Sequence, residues 1–140
     1  MSDREAILFA NTAFYAAFSG RDYAAMETLW ASEGDVGCVH PGWPPLKGRK
    51  AVLASWKNIL GNEASPQVSA RDAVVLYEGA TTIVLCLEIV AEREGAHPQV
   101  LSATNVFVKE GSVWKIAHHH AGVANVDVRS LGDEEKPVVN

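Results

Sequence analysis

Apolar positions recur with a helical period in the first 60 residues and with a strand period afterwards. Ile7, Leu8, Phe14, Tyr15 and Phe18 fall on one helical face. Ser2-Asp3-Arg4-Glu5 before them has the form of a capping box, and Gly20 can end the helix. Asp22 can cap a shorter second helix that buries Tyr23, Met26, Leu29 and Trp30, broken at Ser32-Glu33-Gly34. Val52, Leu53, Trp56, Ile59 and Leu60 repeat at i, i+1, i+4, i+7 and i+8, which predicts a third helix closed by Gly61-Asn62.

From residue 67 the chain reads as four strands, 67–77, 81–92, 99–109 and 113–123, rich in Val, Ile, Leu, Thr and Phe. Turn residues separate them: Glu78-Gly79, Gly95-Ala96-His97-Pro98 and Glu110-Gly111-Ser112. Gaps this short imply antiparallel neighbours, because a parallel crossover needs a dozen or more residues. A further short strand, Val36 to Val39, precedes the third helix. Helices followed by a meander predict an α+β fold, with one domain over residues 1–131 and a polar, flexible tail over 132–140.

Both faces of the predicted sheet are apolar. Ile83, Leu85, Leu87 and Ile89 lie on one side, and Val84, Cys86 and Val90 on the other. An antiparallel sheet with one wet face alternates instead. Three helices can cover one face, so the other is expected to meet a second copy of the chain.

Composition narrows the function classes. With 48% apolar and 21% charged residues the chain has a globular composition. The net charge of −5 and the scattered Lys and Arg provide no electrostatic footprint for nucleic acid. No apolar stretch is long enough to span a bilayer, and the N-terminus lacks a secretory signal pattern. Cys38 and Cys86 have no C-x-x-C spacing and lie among strand residues, so they read as buried free thiols of a cytoplasmic protein.

One segment does not fit a purely structural reading. Residues 38–49, C-V-H-P-G-W-P-P-L-K-G-R, leave a strand for a loop that carries His40 and Trp43 among three prolines. Turning the chain needs no indole. Pro41, Pro44 and Pro45 restrict the backbone and would hold Trp43 in place.

With these elements in order, the chain resembles the NTF2-like superfamily, and within it the SnoaL-like branch. The resemblance rests on the N-terminal helix with Phe14, Tyr15 and Phe18, on D-V-G-C-V-H (35–40), and on P-P-L-K-G-R-K-A-V-L (44–53) entering a helix with Trp56. It also rests on the closing pair A-T-N-V-F-V-K-E-G (103–111) and W-K-I-A-H-H-H-A-G (114–122). It implies a cone, in which a curved antiparallel sheet wraps the long helix around an internal pocket. Such proteins include ketosteroid isomerases, polyketide cyclases, dehydratases, epoxide hydrolases, non-catalytic transport factors and the assembly domain of a calmodulin-dependent kinase. The enzymes often use a carboxylate or histidine as general base without metal or cofactor. The resemblance places His40 and Trp43 at the pocket rim.

Strand parity then selects the inward side chains. A regular strand 113–123 puts Trp114, Ile116, His118 and His120 on one face and His119 on the other. A two-residue turn continues that face as Leu101, Ala103, Asn105 and Phe107, and an even connection across 95–98 pairs Glu94 with Gln99 and Glu88 with Asn105. The expected catalytic cluster is therefore Glu88, Asn105 and His118. The expected pocket lining is Tyr15, Phe18, Trp30, His40, Trp43, Trp56, Phe107, Trp114 and His120. Glu88 stands out because a carboxylate in an apolar run needs a hydrogen-bonded partner, and near a histidine it can move protons at neutral pH. His118 and His120 could chelate a metal with His40 or Glu88, but metal-free chemistry is the reading adopted, with no cofactor. No nucleophile motif, phosphate loop or cofactor fingerprint is present. A small-molecule site is thus expected, either for acid–base chemistry of isomerase, cyclase or dehydratase type or for binding alone; a homodimeric assembly module is the alternative.

Overall fold

The computed structural model describes residues 2–76, 79–92 and 97–132. Helix α1 (Asp3–Ser19) starts at the expected capping box: Ser2 Oγ accepts from the Glu5 N–H and the Glu5 carboxylate accepts from the Ser2 N–H, both at 3.2 Å. Helix α2 (Tyr23–Leu29) is capped by Asp22, whose side chain accepts from the Ala25 N–H at 3.0 Å. Helix α3 (Arg49–Gly61) opens at the G-R-K sequence. There Arg49 donates to the carbonyls of Trp30, Ala31 and Glu27 at 2.8, 2.9 and 3.1 Å. A cation on the free carbonyls of a helix end satisfies them and ties α2 to α3.

The strands are β1 (Gly37–Val39), β2 (Leu46–Lys47), β3 (Gln67–Val75), β4 (Thr81–Ala91), β5 (Gln99–Glu110) and β6 (Val113–Val123). They form one sheet in the order β2-β1-β6-β5-β4-β3. The meander is antiparallel as expected, but β1 pairs with β6 in parallel, so the sheet is mixed. The two-residue β2, hydrogen-bonded to β1, was not legible in its Pro-rich surroundings.

Helix α1 lies across the concave side of this sheet and packs against β3, β4 and β6. Phe14 is its central anchor. Its ring meets Tyr15, Trp56 and His119 at centroid distances of 4.9, 5.4 and 5.0 Å. The pairs with Tyr15 and Trp56 have the edge-to-face geometry that aromatic quadrupoles favour. Among the described residues no helix is long and apolar enough to cross a membrane.

Two registers differ from the sequence expectation. Between β4 and β5, Glu88 pairs with Leu101, Asn105 with Val84, and Gln99 with Val90. This is a slip of four residues from the expected Glu88–Asn105 pair. An even slip keeps every side chain on its expected face. Glu94, the expected partner of Gln99, lies outside the described residues, as do 133–140 of the expected tail.

Between β5 and β6 the departure reverses the assignment. Glu110 faces Val113 and Phe107 faces Ile116, as the two-residue turn requires, but the next pair is Val106 with His118. Ala117 is the extra residue of a β-bulge. One inserted residue exchanges the faces for the rest of the strand. His119 and Ala121 therefore point inward with Trp114 and Ile116, while His118 and His120 point outward. The expectation that His118 and His120 face the cone interior is corrected, and so is the outward assignment of His119.

Candidate functional site

The deepest polar groups gather where α1 crosses the sheet. Glu88 and Asn105 come from β4 and β5, His119 from β6, and Asn11 and Tyr15 from α1; all are buried. The Tyr15 hydroxyl donates to Glu88 Oε2 at 2.7 Å and lies 3.4 Å from Cys86 Sγ. Asn105 Nδ2 donates to Asn11 Oδ1 at 2.8 Å and to Tyr15 Oη at 3.2 Å. Asn105 Oδ1 faces His119 Nδ1 at 2.6 Å, and His119 Nε2 lies 3.7 Å from Glu88 Oε2. Glu88 and Asn105 thus belong to one cluster, joined through Tyr15 and His119 rather than by direct strand pairing.

Burial sets the charge state of this cluster. Removal from water pushes the Glu88 carboxyl up to about 7, against a smaller opposing effect of the Tyr15 hydrogen bond. Burial lowers His119 to about 3, with His40, His118 and His120 adding to the effect. The Tyr15 phenol is raised well above its usual value, first by burial and then by Glu88. At neutral pH the Glu88–His119 contact is accordingly no ion pair: desolvation disfavours two charges at this depth more than their attraction favours them. Cys38 and Cys86 are free thiols, raised by burial to about 12 and about 11, so neither is a nucleophile.

The loop after β1 forms a second layer above this cluster. His40-Pro41-Gly42-Trp43 is a β-turn in which the Trp43 N–H donates to the His40 carbonyl at 2.9 Å. Proline at its second position and Gly42 at φ 80° in the third are the requirements of a type II turn. The turn folds the Trp43 indole back onto the His40 ring at 4.9 Å, edge to face. Trp43 is 42% exposed, whereas His40 is buried. Ser55 Oγ gives its proton to the Val52 carbonyl at 2.6 Å and so accepts from His40 Nε2–H at 2.9 Å. Burial lowers His40 to about 4, so the ring is neutral.

From Trp43 the aromatic layer continues through His40 to Trp56 at 4.9 Å and on to His119 at 5.9 Å. Phe18 closes it against Trp56 at 4.9 Å. The indole N–H of Trp56 is buried in this layer and meets no protein acceptor; that of Trp30 is likewise unpaired.

The remaining expected pocket residues divide. Trp30 and Phe107 are buried core, Trp30 meeting Phe14 at 6.5 Å. Trp114 sits at the far end of the sheet, where its indole donates to Asp3 at 3.4 Å, away from Glu88. His118 lies on the outer face against Gly37, where a Cβ would come within 3.1 Å of its Nδ1. His120 is exposed on that face. Among the described residues no three potential ligands are grouped to hold a metal ion.

Sequence reasoning missed Asn11, Ser55 and His119. For the first two a signal existed, because each interrupts the apolar stripe of its helix at a core-facing position. For His119 there was none, since nothing in A-H-H-H-A marks the bulge.

A cleft of about 640 Å³, lined in part by Val90, Gln99, Val123, Asn125 and Arg129, opens at the end of the sheet nearest Glu88. Val39 pairs with His120 and Leu101 with Val123, so the Trp43 turn lies at this same end. A smaller concavity of about 270 Å³, lined by residues that include Asp72, Leu85, Leu87 and Ser102, lies at the β3–β5 region of the sheet.

These elements define a helix-filled α+β cone with a buried polar cluster, and comparison places the fold. A model of the SnoaL-like domain matches residues 7–125, and the chain belongs to that family of NTF2-like proteins. It is similar to a candidate dehydratase of the NTF2-like family from Streptomyces avermitilis, with 37% identity and a TM-score of 0.79, covering 89% of this chain and 97% of that one. A candidate association domain of calcium/calmodulin-dependent protein kinase type II from Thiobacillus denitrificans is 32% identical, with a TM-score of 0.74, covering 83% of this chain and 93% of that one. The F-box protein SKIP8 of Arabidopsis thaliana is 26% identical over 125 residues, 87% of this chain. The chain spans about half the length of that curated relative.

Proposed function

We propose that this protein binds a small organic molecule at the wide end of the cone and exchanges a proton with it through Glu88, without a cofactor. The observation that carries the reading is the Glu88 carboxyl itself: buried, raised to about 7, and held between Tyr15 at 2.7 Å and His119 at 3.7 Å. A carboxyl that titrates near neutrality can act as acid or base in one cycle. Elimination of water from a hydroxy carbonyl compound needs both: a base for the proton next to the carbonyl and an acid for the departing hydroxyl. The similarity to a candidate dehydratase supports this class, with isomerase- and cyclase-type proton transfers as the related chemistry. The unpaired Trp56 N–H supports a ligand with an acceptor oxygen. The mouth would lie between the Trp43 turn and the cleft beside Val90. Buried, unpaired Cys38 and Cys86 fit a reducing, cytoplasmic setting.

The test is a thermal-shift screen of small hydroxy carbonyl and enone compounds, followed by turnover of the hits. Glu88→Gln, which preserves shape, should still bind a hit but lose at least about a hundredfold in turnover. Unchanged turnover in a folded Glu88→Gln protein would refute the assignment.

Assembly is a second role, favoured by a separate observation. The outer sheet face carries exposed Val74 and Leu85, and half-buried Ile83, Leu87, Ile89 and Val106. Contiguous apolar surface of this kind marks an interface, and similarity to a candidate association domain agrees with it. The proposed partner is a second copy of the chain, which leaves the concave cluster free.

A further inference from the structure

Two hydrogen-bond acceptors face each other in the centre of the cone, and the pattern of donors around them decides where the proton between them resides. The Tyr15 hydroxyl has one proton, which goes to Glu88 Oε2 at 2.7 Å, so its oxygen can only accept from Asn105. Asn11 Oδ1 accepts from the same Asn105 amide nitrogen at 2.8 Å. With its nitrogen committed to both, Asn105 presents its oxygen to His119 Nδ1 at 2.6 Å, where the imidazole must be the donor. His119 Nε2 is then a bare lone pair, 3.7 Å from Glu88 Oε2 and so just beyond hydrogen-bond reach.

We infer that Asn105, oriented by Asn11 and Tyr15, is a positioning residue that locks His119 in its Nδ1–H tautomer, so that His119 presents a lone pair to Glu88 and the one proton of the pair resides on the Glu88 carboxyl. At 3.7 Å a lone pair facing a carboxylate is repelled by it, whereas one facing a neutral carboxylic acid is not. When Glu88 gives up that proton to a bound molecule, His119 Nε2 has none to return, so the carboxyl regains its proton from the bound molecule in the return half of the cycle or from solvent. The groups packed around the pair are Asn11 and Tyr15 from α1, Cys38 from β1, His40 from the turn beyond it, Cys86 from β4 and Trp56 from α3. Tyr15, Cys38, Cys86 and His40 are all held neutral, and His118 and His120 on the outer face act on His119 only by disfavouring its charge, which keeps the proton off its ring.

This inference concerns the cluster of the proposed function, but its readout needs neither ligand nor turnover. Long-range ¹H–¹⁵N spectra of the ligand-free protein near pH 6 should show His119 with Nδ1 protonated and Nε2 in the unprotonated range, and the Glu88 carboxyl carbon in its protonated position. Asn105→Asp keeps the acceptor and adds a charge to it, so His119 should become doubly protonated at neutral pH and Glu88 should lose its proton. An Nε2–H tautomer in the wild type, or a neutral His119 in folded Asn105→Asp, would overturn the inference. Should Asn105→Asp not fold, the wild-type spectrum decides alone. A protein with the stated tautomer and no turnover would count against the proposed function only; the opposite tautomer with turnover would count against the inference only.

Discussion

Glu88 and His119 meet at 3.7 Å although a whole strand, β5, separates theirs. Strands two apart in a flat sheet are more than about 9 Å from each other. The contact exists because the sheet is curved around α1, and because both side chains are long enough to converge over its concave side. The bulge at Ala117 is what turns His119 toward Glu88. The Glu88–His119 contact is therefore a product of sheet irregularity.

The pH dependence of stability follows from Glu88. Its folded value of about 7 lies above the usual 4.5, so its contribution is fully present below pH 4.5 and is lost as pH rises through 7. At about 1.4 kcal/mol per unit, the loss is on the order of 3 kcal/mol. Urea denaturation of wild type and Glu88→Gln between pH 4.5 and 8 should show the wild type losing ground steadily as pH rises. Parallel curves across that range would exclude a buried protonated carboxyl.

His40 works in the opposite direction. Its folded value is depressed to about 4, so stability is complete above the ordinary 6.5 and falls as pH drops toward 4. Ser55→Ala removes the oxygen that accepts His40 Nε2–H. A buried donor left unpaired costs about 1–3 kcal/mol, and the midpoint of chemical denaturation at pH 7 should fall accordingly. A neutral outcome would mean that His40 is satisfied from solvent.

Trp43 is exposed on one side and packed on His40 by the other. Trp43→Phe should leave thermal stability nearly unchanged and weaken binding of any compound selected by thermal shift. Quenching or a wavelength shift of Trp43 emission on binding should be absent from this variant. A large drop in melting temperature would make the indole a packing residue.

The outer face predicts the oligomeric state. Sedimentation at micromolar concentration should give twice the 15.1 kDa chain mass. Leu85→Glu, at a position 39% exposed in the single chain, should produce a folded monomer. A wild-type monomer would show that the apolar outer face has some other use.

Local chemistry determined much of this protein. The capping box at Ser2–Glu5, the apolar stripe around Phe14, the change of period at residue 67 and the turn at Gly111 each depend on residues close in the chain, and each appears in the fold. So does the isolation of Glu88 in an apolar run, since alternation alone puts it beside Cys86 and Val90. Resemblance of the 35–53 and 103–122 segments located the family. What only the tertiary structure decided is how the long-range pairs meet. The register between β4 and β5 is set by a connection whose residues leave many pairings open. The bulge at Ala117 arises from wrapping a sheet around α1, a requirement of curvature that no residue near it announces. One inserted residue exchanged His118 and His120 for His119, because side-chain facing in a strand has a period of two and carries no memory of the turn once that period is broken.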